Sequence, residues 1–325
     1  MKKQLILGLC LAVLLPASAG AQTEIDPSQY APVPSAAHGP AIPDKGYLVE
    51  EIRGGVYWVT EGIYQAVFAT TGEGVIVVDA PPNIGDKLLT AIAEVTDEPV
   101  KYFIYSHQHK DHVGLADMFP PDTVYIGHDE VAKRLTQAQD PHRPVPTVTF
   151  ADEYTLTVGT QTIELSNKGV NHEAGSIFIH WPRQKILMLV DVVFPGWVPF
   201  RDFALAKNIP GYFAAHDQIL AYDFTDFVGG HLTRLGTRQD VEIAKAYIDD
   251  IRTNAGQALQ DTDFMAIAAV VGFENKWLLF KAYLDAVAQA CADATEPKWI
   301  DKLGGADVFT FDHCWMMQEH IRIDY

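Results

Sequence analysis

Basic charge is what this sequence has least of: 24 Lys and Arg stand against 42 Asp and Glu, a net charge of −18 over 325 residues. Such a chain repels phosphate backbones and anionic lipid headgroups, which argues against nucleic acid as a partner and leaves a small-molecule substrate as the expectation. Cysteine is scarce as well, with three in the whole chain, so a scaffold built on disulfides is excluded. Beyond the amino terminus no apolar run is long enough to span a membrane. The exception, residues 1–21, carries Lys2 and Lys3, a short apolar stretch and Ala19-Gly20-Ala21, the pattern of a cleaved secretory signal. A periplasmic or secreted protein beginning at Gln22 is therefore expected. Cleavage removes Cys10, and the remaining Cys291 and Cys314 either pair in an oxidising compartment or stay as buried thiols. The sequence is silent on oligomeric state.

Histidine is concentrated where other residues are sparse. Ser106-His107-Gln108-His109-Lys110-Asp111-His112 places three imidazoles and a carboxylate directly after the apolar run Val100-Lys101-Tyr102-Phe103-Ile104-Tyr105. That run reads as a buried strand, so the cluster falls on the strand-to-helix turn where α/β proteins place their chemistry. Histidine is the commonest metal ligand, and no packing requirement explains this density of them.

Supporting residues follow downstream. His172 precedes the apolar Ile177-Phe178-Ile179, and Asp191 ends Lys185-Ile186-Leu187-Met188-Leu189-Val190. An unpaired carboxylate at the end of such a buried strand is costly, so Asp191 wants a cation beside it. His231 follows Gly229-Gly230, glycines that permit a tight turn and close approach to a metal.

The ordered set His-x-His-x-Asp-His, then His, Asp and His, resembles the metallo-β-lactamase superfamily of dinuclear metallohydrolases. The resemblance implies an αββα sandwich, two β-sheets flanked by helices, holding two zinc ions per chain. Carried over residue by residue, His107, His109 and His172 would hold the first ion. Asp111, His112 and His231 would hold the second, and Asp191 would bridge both. Asp79, ending Val75-Ile76-Val77-Val78, matches a family carboxylate that orients the ligand loop. Asp111 would double as proton carrier and is the catalytic candidate. Family members that open β-lactams usually carry Cys or Ser where Asp191 stands, so the resemblance points to the glyoxalase-II and lactonase-like branch. An ester, lactone or thioester is the expected substrate bond. The rival readings are a periplasmic β-lactamase, a mononuclear iron dioxygenase of the persulfide-oxidising kind, and a non-enzymatic binding role.

Organisation along the chain follows from composition and periodicity. Residues 22–45, rich in Pro, Ala and Ser, read as an extended arm. Residues 46–235 alternate strand and helix patterns and form the metallohydrolase core. Residues 236–325 read as a helical extension, opened by the Thr237 and Asp240 capping pair and containing a helix that should stop near Glu296-Pro297. Tyr64, Trp197 and Phe200 are the substrate-pocket candidates. His128 reads as a helix cap rather than a ligand. The aromatic and Met-rich stretch 310–317, with His313, Trp315 and Met317, is either core or pocket wall.

Overall fold

Strands of alternating inward and outward apolar side chains build two sheets that share one interior. The computed structural model describes residues 26–324, so the expected leader lies outside the described residues. The first sheet runs β1 (Leu48–Arg53), β2 (Val56–Thr60), β3 (Gln65–Ala69), β4 (Val75–Val78), β5 (Val100–Ile104), β6 (Val124–His128) and β7 (Val148–Phe150), in that order. Pairing is antiparallel from β1 to β4 and parallel from β4 to β7. Parallel neighbours need crossovers, and α1 (Lys87–Val95), α2 (Lys110–Val113) and α3 (Asp129–Ala138) occupy them. His128 caps α3, its ring accepting from the Glu130 N–H.

The second sheet orders as β12 (Asp226–Val228), β11 (Ile186–Met188), β10 (Phe178–Trp181), β9 (Gln161–Ser166) and β8 (Glu153–Val158). Alternation decides the layers. Trp58, Val67 and Ile76 from one sheet meet Ile179, Trp181 and Met188 from the other in a shared core, whereas Phe68 and Val77 face the opposite way with Leu88 of α1. The outer face of the second sheet, through Phe178 and Leu187, packs on α5 (Ile209–Leu220), α6 (Arg238–Asp261), α8 (Lys276–Trp299) and α9 (Ala306–Asp324). The short α4 (Arg201–Leu205) precedes α5, and α7 (Phe264–Val271) falls between α6 and α8 along the chain.

The helical region departs from expectation in two places. Helix α8 passes through Pro297 and ends two residues later at Trp299, where few further turns remain for the proline to disrupt. Helix α7 was hidden in the sequence by its uniformly apolar composition, which gives no periodicity to read. The capping box at Thr237 and Asp240 is formed. A disulfide joins Cys291 of α8 to Cys314 of α9. Residues of the expected arm are tied to the core, with the Ala37 carbonyl accepting from Trp197 Nε1 at 3.1 Å.

Candidate metal centre

Strand direction gathers the site. Parallel β4 and β5 end side by side, delivering Asp79 and the His107 turn, and parallel β11 and β12 end on Asp191 and Gly230-His231. Carboxyl ends of parallel strands are where open α/β sheets leave a crevice. Gly230 sits at φ +85°, and a Cβ there would meet the Val190 side chain at 2.6 Å, so only glycine brings His231 this close.

All seven residues proposed as ligands converge in two groups, His107, His109, His172 and Asp191 in one and Asp111, His112 and His231 in the other. Asp191 is the hub. Its Oδ2 lies 3.4 Å from His107 Nε2, 3.3 Å from His112 Nε2 and 3.2 Å from His172 Nε2, and its Oδ1 lies 3.0 Å from His231 Nε2. Burial pushes the Asp191 carboxyl up, but the surrounding imidazoles, His112 foremost, hold it well below the usual carboxylate range.

The donor set fits metal ions. His112 Nε2 lies 2.9 Å from His231 Nε2, and His109 Nδ1 lies 3.0 Å from His172 Nε2. Nitrogens about 2.0–2.1 Å from one tetrahedral ion stand roughly 3.3 Å apart, so each pair is spaced nearly as two ligands of one ion would be. His107, fully buried, has no hydrogen-bond partner for Nε2 among the described residues. Two metal-binding clusters, with the Asp191 carboxylate facing imidazoles of both, are consistent with a dinuclear-type centre.

Surrounding groups aim the rings. Asp79 Oδ1 accepts from the Ser106 N–H at 3.0 Å, fixing the turn before His107, and burial raises this carboxyl to about 6. Ser106 Oγ lies 3.0 Å from His107 Nδ1. His109 Nε2 faces Glu173 Oε1 at 3.0 Å, so the ring donates there and turns its Nδ1 lone pair toward the cluster. Burial works to raise the Glu173 carboxyl, but the bond and charge of His109 outweigh it and bring it down to about 2. Sequence reasoning missed this role: Glu173 is adjacent to His172, yet its target is His109. Glu173→Ala is expected to weaken metal affinity by about 10–100-fold with the fold intact, measured by competition with a chromogenic chelator. Unchanged affinity would show that His109 needs no such anchor.

Above the centre opens a cavity of about 500 Å³. Tyr64, Trp197 and Phe200 line it, joined by Phe194, Leu205 and Phe309, which the sequence did not single out. Trp315 is not part of this wall; it stands 36 % exposed on α9, while Met317 is buried in the core. Tyr64 also packs on His231, ring centroids 4.6 Å apart, and its hydroxyl approaches Asp111 Oδ2 at 3.5 Å.

The wall carrying Phe200 and Leu205 is a left-handed turn: Asp202, Phe203, Ala204 and Leu205 have φ between 54° and 59°. Each such residue costs roughly 1–2 kcal/mol, so the turn must be held from outside. Helix α9 holds it. His313 donates from Nε2 to the Phe200 carbonyl at 3.1 Å, accepts from the Tyr247 hydroxyl at 2.8 Å and stacks on buried Phe203 at 4.8 Å. The C-terminal helices thereby shape the cavity without reaching the metal ligands.

A sequence profile of the Metallo-beta-lactamase superfamily matches residues 59–231. The 2,4-dinitroanisole O-demethylase subunit alpha of Nocardioides sp. (strain JS1661) is 27% identical over 217 residues, 64% of this chain and 63% of that subunit. This chain thus spans less than two thirds of that relative's length. Of solved structures, a metallo-beta-lactamase from Pontibacter korlensis aligns with a TM-score of 0.53 at 20% identity, covering 62% of this chain and 97% of its own. Metallo-beta-lactamase IND-7 aligns at 0.52 and 15% identity, covering 62% and 99%. At such identities the likeness is one of fold.

Proposed function

This chain belongs to the metallo-beta-lactamase superfamily, and we propose that it is an exported dinuclear zinc hydrolase cleaving an ester, lactone or thioester bond in an uncharged, apolar small molecule. The observation that carries this reading is the cavity. Its walls are aromatic and aliphatic, its polar side chains are the candidate ligands with Tyr64 and Trp197, and among the described residues no Lys or Arg lines it. Away from the metal-binding floor, a carboxylate or phosphate on the substrate would find no cationic side chain among the lining residues, whereas an aryl or acyl group would be covered.

Zinc suits a set of imidazoles and carboxylates, and the pairing of Cys291 with Cys314 supports an oxidising compartment. When bound, two such ions lower the pKa of a water toward neutrality and polarise a carbonyl oxygen. The chain's own groups do the rest. Asp111, its side chain 46% exposed, contacts His112 and His231 through Oδ2, which leaves Oδ1 to take up and return a proton. Tyr64 donates toward the same carboxylate and steadies it. Phe194, Trp197, Phe200 and Phe309 keep bulk water from the reacting bond. Esters, lactones and thioesters are favoured over amides because their leaving groups are better.

The likeness to an O-demethylase subunit favours a second reading: hydrolysis of an activated aryl methyl ether, water and ether giving a phenol and methanol. The test is a substrate panel on zinc-loaded protein lacking residues 1–21, with short and bulky aryl esters, a lactone, a thioester, 2,4-dinitroanisole and a chromogenic cephalosporin. Preference for the cephalosporin, or one iron per chain with oxygen uptake, would overturn the proposal. Within that panel, Phe309→Ala is expected to shift the ratio of bulky-ester to short-ester kcat/KM by about 10-fold or more. Trp315→Ala should leave the ratio unchanged, since Trp315 lies outside the cavity. The reverse pattern would misplace the wall.

A further inference from the structure

Helix α7 reads Phe264-Met265-Ala266-Ile267-Ala268-Ala269-Val270-Val271, apolar at every position, yet Ala268 alone is buried. The next turn and the start of α8 continue the exposure. Val270 is 88% exposed, Trp277 82%, Met265 61% and Phe273 57%, with Leu278 and Phe280 also open. Folded monomers rarely leave a contiguous apolar patch larger than a few hundred Å² in water.

Local chemistry holds this hairpin in shape. Asp263 accepts from the Met265 and Ala266 N–H groups, Gly272 ends α7 at φ +79°, and Asn275 accepts from the Leu278 N–H. Phe264 packs edge-on against Tyr283 at 5.4 Å, tying α7 to α8. The face is therefore presented already formed, which lowers the ordering cost of covering it.

We propose that the α7–α8 hairpin is the surface through which two copies of this chain associate. Area is the first argument. The exposed side chains named above offer on the order of 700–800 Å², and a stable interface takes about 800 Å² from each partner. Charge is the second. The rim mixes Asp263 and Glu274 with Lys276 and the Lys281–Asp285 pair, both signs close together, as a self-complementary two-fold contact requires. A lipid-docking surface would instead carry an excess of Lys and Arg beside its apolar face, whereas this rim sets Asp263, Glu274 and Asp285 against Lys276 and Lys281. No residue of the hairpin lines the metal cavity, so association leaves the site open.

Sedimentation velocity on the metal-loaded chain, from sub-micromolar to tens of micromolar, tests this. The wild type is expected to sediment as a dimer, and Val270→Glu with Trp277→Glu as a monomer, the dissociation constant rising at least about 100-fold. Both positions are more than four-fifths exposed, so the double variant should keep its metal content and circular dichroism. A wild type that stays monomeric throughout, or a double variant that still dimerises, would overturn the proposal. Monomers that co-sediment with phosphatidylcholine vesicles through this hairpin would assign it to a lipid surface instead.

Discussion

Asp191→Ala is expected to yield a protein that holds neither metal tightly and turns over more than about 100-fold more slowly, the larger of two contrasting losses at this centre. One carboxylate lies within 3.4 Å of a nitrogen from each of His107, His112, His172 and His231, so its removal opens both clusters together. Loss of a group that merely orients a ligand already costs about 10–100-fold. Asp111→Asn should behave differently. His107, His109, His172 and Asp191 remain, so one ion stays bound while most turnover disappears with the proton carrier. Elemental analysis beside kcat on the same preparations separates the two. Wild-type activity in Asp111→Asn would mean that this carboxylate neither binds metal nor moves a proton, and full metal content in Asp191→Ala would remove the bridge.

A steep loss of stability below neutral pH is the second large effect, and two of its sources, His216 and His313, are not among the candidate metal ligands. Burial lowers His216 and His313 to about 4, against an ordinary value of 6.5. The folded state thus keeps both imidazoles neutral where the unfolded chain would protonate them. With the folded value depressed, the stability is fully present above about 6.5 and drains away as pH falls from there toward 4. Each group accounts for roughly 3 kcal/mol over that window, a large share of the roughly 5–15 kcal/mol that holds a protein folded. Urea denaturation at pH 7 and pH 4.5 measures the loss, and His216→Leu should show a shallower pH slope than the wild type. The metal centre is unaltered by this substitution, so the difference belongs to His216. Equal slopes would show that its proton is not linked to folding.

The clustering of the candidate ligands was legible because much of it is local and dense: His107 to His112 occupy one turn, and Asp191 and His231 each follow an apolar run that reads as a strand. Asp79 was named only through the family resemblance. Trp197 and Phe200 could be named as pocket candidates from the loop that follows Asp191, whereas Tyr64 was a weaker candidate with no such cue. Glu173 could not be assigned its work, since its partner His109 is 64 residues away and adjacency to His172 suggests nothing about it. Phe194 and Phe309 were equally silent, being aromatic residues in apolar surroundings that suit core and pocket alike.

Residue type and spacing by themselves pointed to a metal site, an acidic chain and C-terminal helices, because each is written in a short window or in total composition, and the resemblance carried by the histidine pattern implied the two-sheet sandwich. Tertiary structure alone decided what those helices do. On α9 the buried face runs through Thr310, His313, Cys314 and Met317, and a helical step of one residue rotates Trp315 out of it. Which face turns inward depends on α6 and α8, not on the segment's own pattern. The same packing brought Cys291 to Cys314, pressed His313 against the Phe200 carbonyl and forced residues 202–205 into a left-handed turn that no sequence of non-glycine residues would advertise. Contacts between distant segments carry no local signature, since their free energy exists only once both partners are in place.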